Sequence, residues 1–411
     1  MAEQGLQREL GLSDIVLFGV GGIVGAGIYA IIGEAAAYGG SLLWASFLVA
    51  ALVAFLTAGT YAELVSRYPD AGGSFEYVRQ AFGIRWAAVA SVAMLFTGVV
   101  AAGAIAISFS SYLSRLLDVP TVWTTIGVIA AMGAVNAVGA AEASWFNILA
   151  TAVTLGGLAA VVVVAVPDIG SVDLLGAGDT TPLALGIGGA LIFFSFIGFE
   201  DLVKLAEETR DPRRTLPRGM VIAALVVLVV YIAVAIAAVS ALGSERLADS
   251  PGPLAEIMRA EAGAAWSAAI VVVALFATSK TILSNLLGAS RLAFDVARDT
   301  GAEWLERVNR VNGVTGTPMV SILLVTLAAI GFGAIGNLRV VAAVGNLLVM
   351  VVFLTVNAAL LKIRGDGGDR PPFVLPGSIG PYPVTTVAAI VGTIALLALN
   401  VLALFGVGRP V

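Results

Sequence analysis

The sequence predicts an all-α polytopic membrane protein of about eleven transmembrane helices. The first and sixth are broken in mid-membrane, and the first ten form two five-helix repeats of opposite orientation. Three observations carry this expectation: the number of long apolar runs, the uneven sharing of basic residues between the loops, and two glycine-rich interruptions five spans apart. The 411 residues are 59% hydrophobic and 12% charged, with a mean hydropathy of +1.00, whereas a soluble domain carries about 25% charged residues.

Runs of about 20 apolar residues are long enough to cross a bilayer. They lie at 13–37, 41–66, 84–113, 120–139 and 146–166, then at 183–205, 219–242, 264–288, 318–336 and 339–361, with an eleventh at 382–407. The first follows a polar start and contains a glycine cluster. The second closes in the charged segment Tyr61 to Pro69, and the third begins just past Arg79. Pro120 opens the fourth, Pro167 closes the fifth, and Pro182 opens the sixth. Pro217 stands just before the seventh, and Pro318 and Pro383 lie at the starts of the ninth and eleventh, where a residue without an N–H does least harm. The eighth carries Lys280 in its interior, and the tenth ends at Lys362 and Arg364.

Loop charges test this count. With the N-terminus cytoplasmic, the inner side holds Arg8, Arg67, Arg79, Arg85, Lys204, Arg210, Arg213, Arg214, Arg218, Arg291, Arg298, Arg307, Arg310, Lys362, Arg364 and Arg370. The outer side holds only Arg115, Arg246, Arg259, Arg339 and Arg409. This is the asymmetry that the positive-inside rule demands, and a miscounted span would scramble it. An odd number of spans then places the C-terminus outside. The repeats are 13–166 and 183–361 in a single transport domain, and 382–407 is an extra helix.

Composition also excludes. With no cysteine and no histidine, the chain has no disulfide, no thiolate chemistry, no histidine metal site and no histidine proton relay. No metal and no cofactor are expected. No basic stretch suggests nucleic acid, the net charge is −5, and the first apolar run is too long and too glycine-rich for a signal peptide. No G-x-S-x-G elbow or nucleophile–base pair indicates an enzyme.

The first break is Gly19-Val20-Gly21-Gly22-Ile23-Val24-Gly25-Ala26-Gly27-Ile28-Tyr29. Each glycine in a helix interior costs roughly 1 kcal/mol relative to alanine, so five together predict an interruption. Irregular backbone at membrane depth is tolerated only where it is buried in protein or lines a cavity, a setting suited to a small polar solute. An outer half-helix starting near Gly27 presents amides of Ala26 and Gly27, and the positive end of its dipole, to a carboxylate. The inner half, ending near Gly22 and Ile23, presents carbonyls to an ammonium or another cation. Close helix packing is the plainer use of such glycines. The match of Gly25 to Ala30 with G-x-G-x-x-A lacks the preceding strand that a dinucleotide site needs.

The sixth span repeats the device in Gly186-Ile187-Gly188-Gly189 and Phe193-Phe194-Ser195-Phe196-Ile197-Gly198-Phe199-Glu200. The run Phe194-Ser195-Phe196-Ile197 is expected to supply carbonyls opposite the first break, with Phe194, Phe196 and Phe199 as aromatic walls for an apolar side chain. Glu200 opens the inner half-helix. It either takes part in coupling or offsets the helix dipole beside Lys204 at i+4. Lys280, flanked by Thr278 and Thr281, sits roughly 12 Å from the expected end of its span. Such an ammonium at depth carries protons, stands as a fixed cation in a sodium position, snorkels to the surface, or takes a structural partner such as a backbone carbonyl. Tyr61 to Pro69 and Ala206 to Pro217 read as charged helix ends, with carboxylate–arginine gating as the sharper alternative.

Together these segments resemble the amino acid–polyamine–organocation (APC) superfamily. The resemblance rests on Gly22 to Tyr29, on Tyr61-Ala62-Glu63-Leu64 with Tyr68-Pro69-Asp70-Ala71-Gly72-Gly73-Ser74, on Phe193 to Pro217, and on Ala289-Ser290-Arg291 with Ala297-Arg298-Asp299. It implies a leucine-transporter-like fold with alternating access and a substrate amino acid. The substrate is held at Ile23, Gly25, Ala26, Gly27 and Ile28 and at Phe194, Ser195, Phe196, Ile197 and Phe199. In sodium-dependent relatives, carbonyls matching Gly21 and Val24 help bind the ion. Many proton-coupled relatives carry a lysine in the fifth helix, within a stretch like Phe146 to Gly157, where this chain has Thr154. The coupling and gating candidates are Gly21, Val24, Thr154, Glu200, Thr278, Lys280 and Thr281. The expectation is a plasma-membrane importer of neutral, apolar amino acids, coupled to protons. An amino acid or polyamine exchanger and a sodium symporter stay as alternatives, and the oligomeric state is left open.

Overall fold

The computed structural model describes residues 8–70, 72–139, 144–300, 307–312, 315–367 and 370–407. Arg409, Ala71 and the side chains of Phe146, Asn147, Ile148 and Asp299, all used above, lie outside the described residues. Among the described residues the regular structure is helical apart from one small hairpin, and the helices form eleven rods at the expected places.

The first rod is two helices, α1 (Leu12–Ile23) and α2 (Ala26–Gly39), separated at Val24 and Gly25. The others are α3 (Leu43–Arg67), α5 (Ile84–Leu113), α6 (Thr121–Val138) and α7 (Ser144–Val164), then α9 (Pro212–Leu242), α12 (Ala264–Thr300), α13 (Met319–Gly333), α14 (Leu338–Gly365) and α15 (Val384–Leu404). The sixth rod begins as α8 (Pro182–Ile192), tightens to a 3-10 turn over Phe193–Phe196, and resumes after Gly198 as a 3-10 helix over Phe199–Leu205.

Packing follows the five-helix offset. Rods two and seven, three and eight, and four and nine lie against each other. Rod one packs on rod seven as six packs on two, three packs on ten as eight on five, and three packs on nine as eight on four. Each of these contacts thus has a counterpart five rods away.

Several elements escaped hydropathy. Helix α4 (Gly73–Phe82), in the loop after rod two, and the short helices α10 (Ser244–Asp249) and α11 (Pro253–Ala262), after rod seven, are too polar to register as spans. The hairpin β1 (Ser378–Ile379) and β2 (Tyr382–Pro383) precedes the last rod. Helix α12 runs to Thr300 and not to 288, because Arg291, Asp295 and Arg298 end the apolar run without ending the helix. Helix α9 starts at Pro212, where a missing N–H costs nothing, and contains Pro217. Pro217 leaves the Arg213 carbonyl without its helical donor, and the Ser66 hydroxyl donates to that carbonyl at 2.9 Å.

Leu10 accepts from Arg210 and donates to the Glu208 carbonyl at 3.0 Å, which holds Leu10 beside the end of the sixth rod. This face, with the ends of α3 and α14, is called the N-terminal face below.

Candidate functional site

The two breaks face each other at van der Waals range, and the glycines are what allow it. A Cβ on Gly27 would lie 2.7 Å from Cα of Ser195, and one on Gly198 would lie 2.7 Å from the Gly22 carbonyl oxygen. Gly198 has φ +125°, a backbone setting that favours glycine. Between the breaks lies a cavity of about 310 Å3. Gly21, Gly22, Ile23, Gly25, Ala26 and Gly27 line it from one break, and Phe194, Ser195, Ile197, Gly198 and Glu200 from the other. Met94, Thr97, Gly98, Ala101 and Ile105 of α5 form its third wall, and Lys280, Thr281, Ser284 and Asn285 of α12 its fourth. The lining continues to Leu205 and Leu292, so the space leads toward the N-terminal face.

The polar groups are specific. As the first residues of α2, Ala26, Gly27 and Ile28 have no intrahelical acceptor for their amides. Ala26 was expected to offer a free amide; instead it donates to Thr281 Oγ1 at 3.2 Å, because that hydroxyl, back-bonded to the Ala277 carbonyl at 2.8 Å, points its lone pair at the break. The Ser195 hydroxyl is buried with no partner among the described residues, while its carbonyl accepts from Tyr231 Oη at 3.1 Å. Tyr231 Oη also lies 3.0 Å from the Ile23 carbonyl, so one phenol spans both breaks. Sequence reading missed Tyr231, although a tyrosine inside an otherwise apolar run was the available signal.

Lys280 belongs to the site. Its Nζ donates to the Gly21 carbonyl at 3.2 Å and to Thr151 Oγ1 at 3.0 Å. Because α12 extends to Thr300, the lysine stands near mid-helix and not close to an end, and snorkelling is replaced by these two acceptors. Thr151, one turn before Thr154, is the fifth-rod residue that meets the break.

Other expected residues stand apart from the cavity. Val24 and Ile28 are buried elsewhere in the core. Thr154 bonds its own helix at the Ala150 carbonyl, 2.7 Å away, and Thr278 does the same at Ala274, also 2.7 Å. Phe196 and Phe199 were expected to wall the cavity and do not; both rings are buried in the aromatic core of the protein. Phe196 stacks edge-on with Tyr231 and Phe55, with centroids 5.3 and 6.1 Å away, and Phe199 lies 5.2 Å from Phe353. Of the three phenylalanines, Phe194 alone lines the cavity.

Glu200 lines the cavity but folds its carboxylate back onto the Gly198 amide at 2.8 Å. Lys204 pairs with Asp201 at 2.5 Å and not with Glu200, since a 3-10 helix aligns residues i and i+3. Among the charged helix ends, Glu63 does gather arginines: Arg67 at 2.9 Å, and Arg364 from α14. Among the described residues, no group of acids, histidines or cysteines could hold a metal.

The family model described as amino acid permease matches residues 10–410. An uncharacterised transporter of Mycobacterium tuberculosis is 34% identical over 93% of this chain and 88% of its own length. The branched-chain amino acid permease BcaP of Bacillus subtilis is 26% identical, covering 91% of this chain and 85% of the permease. Cationic amino acid transporter 1 of Arabidopsis thaliana is 28% identical, covering 87% and 63%.

Proposed function

The chain belongs to the amino acid permease family, and from that premise we propose that it imports neutral amino acids with apolar side chains across the plasma membrane, by alternating access and with proton coupling. The N-terminal face is cytoplasmic in this reading, which the preponderance of arginine there supports.

One observation carries the assignment: the unpartnered Ser195 hydroxyl and the Gly27 amide, which has no intrahelical acceptor, converge on one cavity. A substrate carboxylate satisfies the Gly27 amide, and such a charge-assisted bond contributes roughly 1.5–3 kcal/mol. The ammonium meets carbonyls at the end of α1 and in the sixth rod. The side chain then lies along Met94, Ala101, Ile105 and Phe194. A cationic side chain would need a free acid. Both acids on the cavity wall are already engaged, Glu200 by the Gly198 amide and Asp201 by Lys204.

Lys280 supports protons over sodium. Its ammonium already occupies the Gly21 carbonyl, an acceptor a sodium ion would need. Gain or loss of its proton changes how firmly α1 is tied to α7 and α12, which is a means of biasing the first rod.

The test is a thermal-shift panel of amino acids at two pH values, with and without sodium, followed by uptake into proteoliposomes. Leucine, isoleucine and valine should raise the melting temperature, with no further gain from sodium, and an inward proton gradient should drive uptake. Stabilisation by arginine or lysine alone would overturn the substrate class.

A further inference from the structure

We propose that the N-terminal face carries a second binding site, for a phosphate ester, in a cavity of about 460 Å3 between the ends of α3 and α14 and the segment 370–381. Its volume falls within the range of about 300–1,000 Å3 typical of small-molecule sites.

Three guanidiniums line this cavity, from Arg67, Arg364 and Arg370, and among the described residues no carboxylate does. The first two side chains are only 9% and 8% exposed. Behind them, fully buried Glu63 accepts from both: Arg67 at 2.9 and 3.1 Å, and Arg364 through Nε at 2.7 Å and through Nη2. A single carboxylate thus holds two guanidiniums in place. Asp366, the other described acid nearby, is paired with Lys362 at 3.0 Å.

Arg364 has five N–H groups, of which four are used: two on Glu63, one on the Leu375 carbonyl and one on Ser378 Oγ. One hydrogen on Nη1 is left over. Arg370 is exposed and has no hydrogen bond or ion pair with any described residue. A planar fork of this kind matches two phosphate oxygens.

The cavity wall is built in advance. Phe373 donates its amide to Ser66 Oγ at 3.1 Å, and Leu375 donates its amide to Glu63 at 2.9 Å. The Leu375 side chain seats over Gly59, where a Cβ would come within 2.9 Å of it. Gly377 and Gly380 turn the chain at φ +67° and +62°, and Pro371, Pro372, Pro376 and Pro381 stiffen it. Little ordering is left for a ligand to impose. The site also lies at the ends of two spans, α3 and α14, the kind of place where basic pockets between helices take phosphorylated headgroups. Phosphate-ester chemistry therefore has two possible sources, an anionic lipid or a soluble ester.

The experiment uses the full chain in phosphatidylcholine nanodiscs. One arm titrates glycerol 3-phosphate, and the other incorporates phosphatidylglycerol, each read by thermal melting and by native mass spectrometry against chloride at equal ionic strength. A response to glycerol 3-phosphate identifies a soluble ester, and a response to phosphatidylglycerol alone identifies a headgroup. Arg370→Ala, which removes an exposed side chain, should weaken the responding probe about tenfold. Arg370→Lys, a point charge without the fork, should weaken it less. The proposal is overturned if neither probe differs from its control, or if Arg370→Ala binds as tightly as the wild type.

Discussion

Replacing Ser195 by alanine separates binding from folding at a single atom. The hydroxyl is buried against the first break, 3.2 Å from where a Gly27 Cβ would be, and has no partner among the described residues. Leaving a buried hydroxyl unbonded costs about 1–3 kcal/mol, so its removal should leave the melting temperature of the unliganded protein unchanged or higher. The Ser195 carbonyl keeps its bond from Tyr231, because only the side chain changes. Affinity should move the other way. A hydroxyl bonded to a charged substrate group contributes about 1.5–3 kcal/mol, and losing it raises Kd about tenfold to 150-fold. Scintillation proximity binding of labelled leucine gives the affinity, and a melting curve of the same sample gives the stability. An unchanged Kd would refute the assignment of this hydroxyl to the substrate. A lower melting temperature alongside weaker binding would show that it serves the fold.

Gly27→Leu should abolish leucine binding while the protein still folds and inserts, because any Cβ there lies 2.7 Å from backbone of the sixth rod; retained binding would disprove close apposition of the breaks. Lys280→Ala should remove the pH dependence of uptake, measured in proteoliposomes from pH 5 to 8, and an unaltered profile would exclude this lysine from coupling. On the opposite face, Arg115 bonds Glu256 at 2.6 Å, which, with Arg246 nearby, holds that carboxyl below the usual carboxylate range. Since the folded value is depressed, the stabilisation is present above the unfolded value of about 4.5 and disappears as pH falls through the folded one. Glu256→Gln should therefore lower the melting temperature at pH 7, and this difference should shrink below about pH 4.

Much of the fold was legible because a bilayer permits little else. Backbone amides in hydrocarbon must be satisfied within the segment, so long apolar runs become helices, and glycine clusters within them become breaks. Gly22, Gly25, Gly27 and Gly198 were readable for this reason, whereas the place of Lys280 was left open between the interior and the inner surface. What misled was extrapolation from helical spacing. The sequence alone put Lys204 beside Glu200, which assumes 3.6 residues per turn. A 3-10 segment uses three, so Lys204 meets Asp201 instead.

The sequence by itself determined which stretches cross the membrane, where two of them are interrupted, and that no thiol or imidazole chemistry is present. These follow from composition and local backbone energetics, which act within a few residues. Only the tertiary structure decided that Thr281 occupies the Ala26 amide, that Thr151 and not Thr154 receives Lys280, that Tyr231 bridges both breaks, and that Arg364 of α14 reaches Glu63 of α3. Each joins residues far apart in the chain, and no local periodicity encodes which distant polar groups will meet when every buried donor and acceptor has to find a partner.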